Sequence, residues 1–200
     1  MTALINSYTH LTNWLTRADW ILPTLARFLF AATLLGYFWA SALTKLGDGL
    51  LGLLIPSTGA YAQIFPKAFE AVGYNSDALG HVHWAVVMAG TYAEFILPAL
   101  IVLGLLTRLA SLGMIGFLIL QSLTDLYGHG GIAHAKTLGA WFDRLPDGVI
   151  LDQRAFWVFV LLTLVVKGAG PLSLDRIMDR LLRRQQVRNA PPAGPVSQPQ

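Results

Sequence analysis

The sequence predicts an all-α integral membrane protein. The expected fold is an antiparallel bundle of four transmembrane helices, with an extramembrane cap formed by two long connections. Hydrophobic residues make up 54% of the 200 residues and charged residues only 12%, whereas about 25% of an average soluble domain is charged. Four apolar stretches are each long enough to cross a hydrocarbon core of about 30 Å. These two observations exclude a soluble enzyme and a disordered chain.

The predicted membrane domain covers residues 20–177. Its four spans are expected at about 20–44, 84–106, 109–126 and 154–174, where apolar residues run almost unbroken. A tight turn joins the second and third spans, and the two long connections follow the first and third spans. The spans therefore alternate in direction, and both chain termini lie on one side of the membrane.

The two ends of the chain differ from the membrane domain. In residues 1–19, apolar residues recur at three- and four-residue spacing. This pattern suits a short helix lying in the membrane interface, and an ordinary frayed terminus is the alternative. No Lys or Arg precedes Arg17, so this segment does not resemble a secretory signal. Residues 178–200 are expected to form a cytoplasmic tail, first basic and then rich in Pro and Gln, the latter a composition typical of disorder.

The distribution of positive charge predicts the orientation of the bundle. Cytoplasmic loops of membrane proteins carry an excess of Lys and Arg. The end with the two termini carries Arg17, Arg108, Arg176, Arg180, Arg183, Arg184 and Arg188. The opposite end carries Lys45, Lys67, Lys136, Arg144 and Arg154, accompanied by acidic residues. We therefore expect both termini in the cytoplasm and the two long connections outside.

Two charged residues inside the spans form a candidate intramembrane pair. Glu94 lies near the middle of the second span and Arg27 lies inside the first. Ionisable groups at such positions are costly and usually face the bundle interior, often with a partner. Their depths along the helices differ by about 8 Å, which two extended side chains can bridge. The pair is either a proton-accepting or quinone-binding site, or an ion pair that orients two helices.

A second constellation is expected at the outer face. Gln121, Asp125 and His129 are spaced four apart and share one helical face. The other candidate residues at this level are Lys45, His81 and His83. Three interpretations remain open: a quinone-headgroup site, a metal site with convergent ligands, and ordinary polar residues at a membrane surface.

Several chemistries are not expected. The chain has no cysteine, which excludes disulfides, thiolate metal sites, iron–sulfur ligation and thiol redox chemistry within it. No histidine lies deep in a span, so haem is disfavoured. The sequence contains no nucleotide-binding loop and no nucleic-acid-binding motif. Any redox role must therefore use a bound cofactor, for which quinone is the candidate, or a partner.

The order of these residues resembles the DoxX family of small four-helix bacterial membrane proteins. Arg27 opens the first span and Lys45 closes it, Glu94 lies in the second, and the sequences GLLTRLA at 104–110 and GAGPLSLD at 168–175 follow. The resemblance implies a four-helix bundle in the bacterial cytoplasmic (inner) membrane. The family takes its name from a small subunit of a quinone-linked oxidoreductase. The resemblance therefore implies a membrane or periplasmic oxidoreductase subunit as a partner of this chain.

Three functions are compatible with the sequence. The first is an accessory or quinone-interacting component of a membrane redox system, at most a subunit of a quinone-linked oxidoreductase, because no self-contained catalytic set is visible. The second is a carrier for a small or lipid-like molecule. The third is a structural, partner-binding membrane protein. The lipid bilayer is the one certain partner, and small residues in the third span permit a homodimer.

Overall fold

A computed structural model describes residues 2–189. In that range the regular structure is helical, apart from an isolated bridge between Leu46 and Pro56. Four helices in the described part of the chain are long and apolar enough to span a membrane: Ile21–Leu43, His81–Leu103, Thr107–Gly128 and Val149–Lys167. We refer to them as the first to fourth spans. The prediction of an all-α membrane bundle is confirmed.

The four spans form a closed ring of neighbours. The second span packs against the third, and the third against the fourth. The first span serves two neighbours: its first part, Ile21–Phe30, packs on the fourth span, and its last part, Gly36–Leu43, packs on the second. A π-helical turn at Ala31–Leu35 separates the two parts. We call the end of the bundle that carries the termini the terminal end, and the end with the long connections the cap end.

The centre of the bundle is filled by large apolar side chains from all four spans. Phe30 and Phe38 of the first span are fully buried, as are Met114 of the third and Leu161 of the fourth. Lipid tails are as apolar as these side chains, so their close packing, rather than removal from water, holds the spans together. The outward faces carry exposed apolar residues, as expected beside lipid.

The first long connection folds into a compact cap. It contains two short helices, Thr58–Ile64 and Pro66–Ala71. The hydroxyl oxygen of Ser57 accepts a hydrogen bond from the amide of Ala60 and so caps the first of them. Tyr61 and the second helix pack onto the start of the second span. Burial, together with nearby Asp77, raises the pKa of the Tyr61 phenol, which therefore stays neutral.

The span boundaries follow the backbone signals at the helix ends. The second span ends at Leu103 because Gly104 adopts a left-handed conformation with φ of 69°. The fourth span begins at Val149 and ends at Lys167, both earlier than expected from hydropathy. Gly168, with φ of 78°, stops that helix. Apolar residues continue beyond the stop, which is why hydropathy alone extends the span too far.

Two further helices flank the bundle at its terminal end. The first covers Thr2–Arg17 and the last Leu174–Asn189. The basic first part of the expected 178–200 tail is therefore helical. The Pro- and Gln-rich segment 190–200 lies outside the described residues.

Candidate functional site

Lys45, just beyond the first span, and Glu94 of the second span form a buried ion pair. Lys45 is 5% exposed and Glu94 is 2% exposed. The Nζ of Lys45 donates to Oε2 of Glu94 at 2.8 Å and to Oε1 at 3.1 Å. Ser41 completes the site, because its hydroxyl donates to Oε1 of Glu94 at 3.2 Å and accepts from Lys45 at 2.7 Å. A buried pair is tolerated when its geometry is good and its remaining hydrogen bonds are made.

The partner of Glu94 is thus Lys45 and not Arg27, which corrects the pairing expected from the sequence. Side chains on a helix lean toward its N-terminus. The first span starts at the terminal end, so Arg27 leans toward that end. The second span starts at the cap end, so Glu94 leans toward the cap, where Lys45 closes the first span. The two expected partners therefore lean away from each other.

Arg27 instead ties together three segments at the terminal end. Its Nε donates to the carbonyl of Ile101 at 3.0 Å, and one Nη donates to that of Val102. The other Nη donates to the carbonyls of Ala169 at 3.1 Å and Leu172 at 2.5 Å. The charge faces the carbonyl end of the second span, where the helix dipole favours a cation. These bonds give Arg27 a role in joining helix ends.

The neighbouring glycine and aspartate complete this junction. A Cβ at Gly104 would stand 2.6 Å from Cβ of Ser173 and 2.8 Å from Cζ of Arg27. The carboxylate of Asp175 accepts from the amides of Leu106 at 2.7 Å and Thr107 at 3.0 Å, at the start of the third span. A carboxylate at a helix N-terminus is favourable. The residues quoted for the family resemblance at this end therefore have structural roles.

A cavity of about 530 Å³ lies between the second and third spans, beside the last turn of the first. Its volume is within the range of small-molecule sites, roughly 300–1,000 Å³. The polar side chains around it come from three spans and the connections: Ser41, Lys45, Gln63, Glu94, Gln121, Thr124, Asp125 and His129. Apolar residues and small residues form the rest of the wall. The cavity joins Glu94 of the expected intramembrane pair to four residues of the expected outer-face site.

A second ionic contact involves Asp125, which lines the cavity. An Nη of Arg154 donates to the carboxylate of Asp125 at 2.5 Å, and the other Nη donates to the hydroxyl of Ser122 at 2.8 Å. Arg154 is buried, while the side chain of Asp125 is 33% exposed. Asp125 lies in the π-helical turn that ends the third span, and Arg154 ends the one that opens the fourth. Beside them, the amide of Gln121 donates to the hydroxyl of Tyr37 at 3.2 Å.

The cap covers one end of the cavity. The ring Nε2 of His129 lies 3.0 Å from the carbonyl oxygen of Gln63, a hydrogen bond that joins the cap to the end of the third span. Ile64, next to Gln63, lies over Gly90 of the second span, where a Cβ would stand 3.6 Å from its Cδ1. Gln63 and Ile64 are therefore part of the wall and fix its shape at the cap end.

His81 and His83 do not reach the cavity. Both lie in the first turn of the second span, outside the residues that line the cavity. The ring of His83 packs edge-on against Phe65 with centroids 4.8 Å apart. His81 is exposed. Among residues 2–189, no group of three or more His, Cys, Asp or Glu side chains is arranged to hold a metal ion. The histidines expected at the outer rim therefore do not converge, and His129 alone of the candidate histidines contributes to the site.

A larger cleft of about 810 Å³ lies at the terminal end, where an ion pair and a helix-capping carboxylate form part of the lining. The Nζ of Lys167 donates to the carboxylate of Asp19 at 2.8 and 2.9 Å. Asp175 is committed to the start of the third span. The smaller cavity is the better candidate because it brings Glu94 together with four of the residues expected at the outer face.

The sequence profile of the DoxX family matches residues 22–124, just over half of the chain. The chain belongs to the DoxX family. In this DoxX protein, Arg27, Lys45, Glu94 and Gln121 fall inside the matched range, whereas Asp125 lies just beyond it. The GAGPLSLD sequence at its terminal end also lies outside the match. Searches among curated proteins and among solved structures gave no significant match.

Three polar residues at or beside the cavity are not among the candidates predicted from the sequence. Ser41 lies one helical turn before Lys45, and this spacing places both on one face. Arg154 follows an acidic, polar stretch and looks like an ordinary residue at a span boundary. Gln63 contacts the site only because the cap folds back over the bundle, and nothing in the local sequence indicates that contact.

Proposed function

We propose that this DoxX protein binds a quinone headgroup in the cavity between its second and third spans, as an accessory component of a membrane redox system. The observation that carries the proposal is the cavity itself. A buried ammonium–carboxylate pair, Lys45 and Glu94, lies on one side, and Asp125 with Gln121 lies on the other. Apolar and small side chains form the rest of the wall of this cavity of about 530 Å³.

The chemistry of the wall suits a small ring with oxygen atoms on opposite sides. The side-chain amide of Gln121 uses one of its two N–H groups on Tyr37, so the other can donate to a carbonyl oxygen. The carboxylates of Glu94 and Asp125 can accept from a hydroxyl. Leu97 and Phe117 supply apolar contacts for the ring. Such a combination of an apolar pocket with a few polar groups is typical of small-molecule sites. A bound quinone would supply two-electron, two-proton redox chemistry.

The chain has an accessory role in this function because its side chains include no electron-transfer group. The sequence has no cysteine, so electrons have to reach the quinone from a partner subunit. The cavity lies toward the cap end of the bundle. We place the protein in the bacterial cytoplasmic membrane with both termini in the cytoplasm, because the terminal end carries the larger share of arginine. The partner then lies in the membrane or on the periplasmic side.

The direct test is binding of a short-chain benzoquinone, with one isoprene unit, to the full chain in lipid nanodiscs, measured by calorimetry. We expect Glu94→Gln and Asp125→Asn each to raise Kd on the order of tenfold or more, because each removes a charged hydrogen-bonding group. Thr33→Val is the matched control. Thr33 is an exposed residue of the first span whose hydroxyl bonds to the carbonyl of Leu29 in its own helix.

Purification from native membranes tests the redox assignment. Extractable quinone in the wild type that is lost in Glu94→Gln, together with an oxidoreductase subunit in stoichiometric amount, is the expected result. A protein that carries neither, and that binds no short-chain quinone, would contradict the proposal. The carrier and the structural partner-binding protein would then be the better interpretations.

A further inference from the structure

The cavity is covered at the cap end but not at its side. Gln63 and Ile64 lie across its cap end, and the hydrogen bond from His129 to the Gln63 carbonyl holds that cover in place. The buried pair of Lys45 and Glu94 forms part of the wall. A molecule arriving from the cap side would have to displace these contacts.

The side between the second and third spans is open. Val86 of the second span is 43% exposed and Leu120 of the third is 66% exposed, although both line the cavity. Ala89 and Gly113 are also exposed. These residues lie within spans, where the surface that they expose faces the bilayer. The opening therefore leads into the membrane rather than into water.

Gly116 keeps this opening wide. A Cβ built at Gly116 would have no atom within 4 Å, so the glycine is not required by a close helix contact. At Gly113, by contrast, a Cβ would stand 3.2 Å from a methyl carbon of Leu97. Gly116 thus borders a gap, while Gly113 packs against the neighbouring span. Small residues on the facing side, Ala89 and Ala93, leave further room.

We infer that the ligand enters sideways from the bilayer, between the second and third spans, and that its hydrocarbon tail stays in the gap beside Gly116. The head lies against Lys45 and Glu94. The ligand class is a lipid-soluble molecule with a small polar head and a single long hydrocarbon chain. The inference rests on the proposed function for the identity of the head, a quinone. The tail and the route follow from the shape of the cavity.

The test compares a quinone that has a long polyisoprenoid tail with the short-chain quinone, both titrated into the full chain in nanodiscs. Gly116→Leu places a side chain in the gap, where its Cβ would have no atom within 4 Å. We expect this variant to weaken binding of the long-tailed quinone by about tenfold or more, because buried methylene contacts are lost. Binding of the short-chain quinone should change much less.

Gly36→Leu is the matched control. Gly36 is an exposed glycine of the first span, a Cβ there would also have no atom within 4 Å, and it does not line the cavity. Its substitution should leave both affinities unchanged. Equal binding of the long-tailed quinone to the wild type and to Gly116→Leu would overturn the side entrance. Failure of the short-chain and long-tailed quinones alike to bind the wild type would instead contradict the proposed function.

A second measurement examines the opening without any ligand. The chain has no native cysteine, so Gly116→Cys gives a single site for a nitroxide label in proteoliposomes. We expect the label to collide more often with oxygen, which dissolves in the bilayer, than with a water-soluble nickel chelate. Preferential collision with the chelate would overturn the side entrance. Efficient disulfide cross-linking of Gly116→Cys, without cross-linking of Gly36→Cys, would also overturn it by showing that a second copy of the chain covers the gap.

Discussion

At the residue scale, the ion pair of Lys45 and Glu94 contributes to helix packing and, in the proposed function, to ligand binding. The two roles can be separated. Removing one partner from a buried pair leaves an uncompensated charge, whereas replacing both with apolar residues is often neutral or stabilising. Both side chains are almost fully buried, and their contacts are short. Stability and ligand binding should therefore respond differently to the single and double substitutions.

We expect Lys45→Met to destabilise the bundle by up to about 3–5 kcal/mol, because Glu94 is left buried without its cation. The double variant Lys45→Met/Glu94→Leu should recover most of that loss yet bind no short-chain quinone. Unfolding in an SDS titration, followed by circular dichroism, measures the stability. A double variant that binds quinone as the wild type does would show that the pair serves helix packing alone.

The position of a residue along the chain predicts how deep its side chain lies in the bundle, but not which side chain it contacts. Lys45, Glu94, Gln121, Asp125 and His129 are recognisable from the sequence, and the structure brings them to one cavity. Depth along the helix indicates Arg27 as the partner of Glu94, but depth does not include the direction in which a side chain leans. The tendency of helical side chains to lean toward the N-terminus would have indicated a partner on the cap side.

At the element scale, the last helix is the element whose structure the amino-acid composition predicts least well. Its arginines indicated a basic tail, but Leu174, Ile177, Met178, Leu181 and Leu182 recur at helical spacing. All five are exposed, at 38–55% of their surface. A basic helix with one apolar face, beginning close to the end of a span, has the properties of a helix that lies in the membrane surface.

Spin labels at two positions test this arrangement in the otherwise cysteine-free chain. In vesicles containing phosphatidylglycerol, the label at Met178→Cys should collide more often with oxygen than with a nickel chelate, because this face lies among acyl chains. The label at Arg183→Cys, on the polar face, should show the reverse preference. Equal access of the chelate to both labels would mean that the helix stands in water, away from the bilayer.

At the scale of the whole molecule, hydropathy and turn signals were sufficient to predict the bundle, whereas the cavity depends on contacts between distant segments. Four apolar stretches, with a tight turn between the second and third, leave few ways to pack. The cover formed by Gln63 and the contact between Asp125 and Arg154 each join parts of the chain that local spacing cannot connect. Sequence spacing alone therefore predicts the architecture better than it predicts the site.

Under the proposed function, the orientation of the bundle decides on which side of the membrane a redox partner would lie. In the proposed orientation, with both termini in the cytoplasm, the cap and the covered end of the cavity would face the periplasm. Arg144→Cys lies in the second long connection and Arg188→Cys in the last helix, and both positions are exposed. A membrane-impermeant maleimide should label the first in intact spheroplasts and the second only after permeabilisation, as the excess of arginine at the terminal end predicts. The reverse labelling pattern would contradict the proposed orientation. Asp125 and His129 would then lie toward the cytoplasm, and the partner would have to be a cytoplasmic subunit.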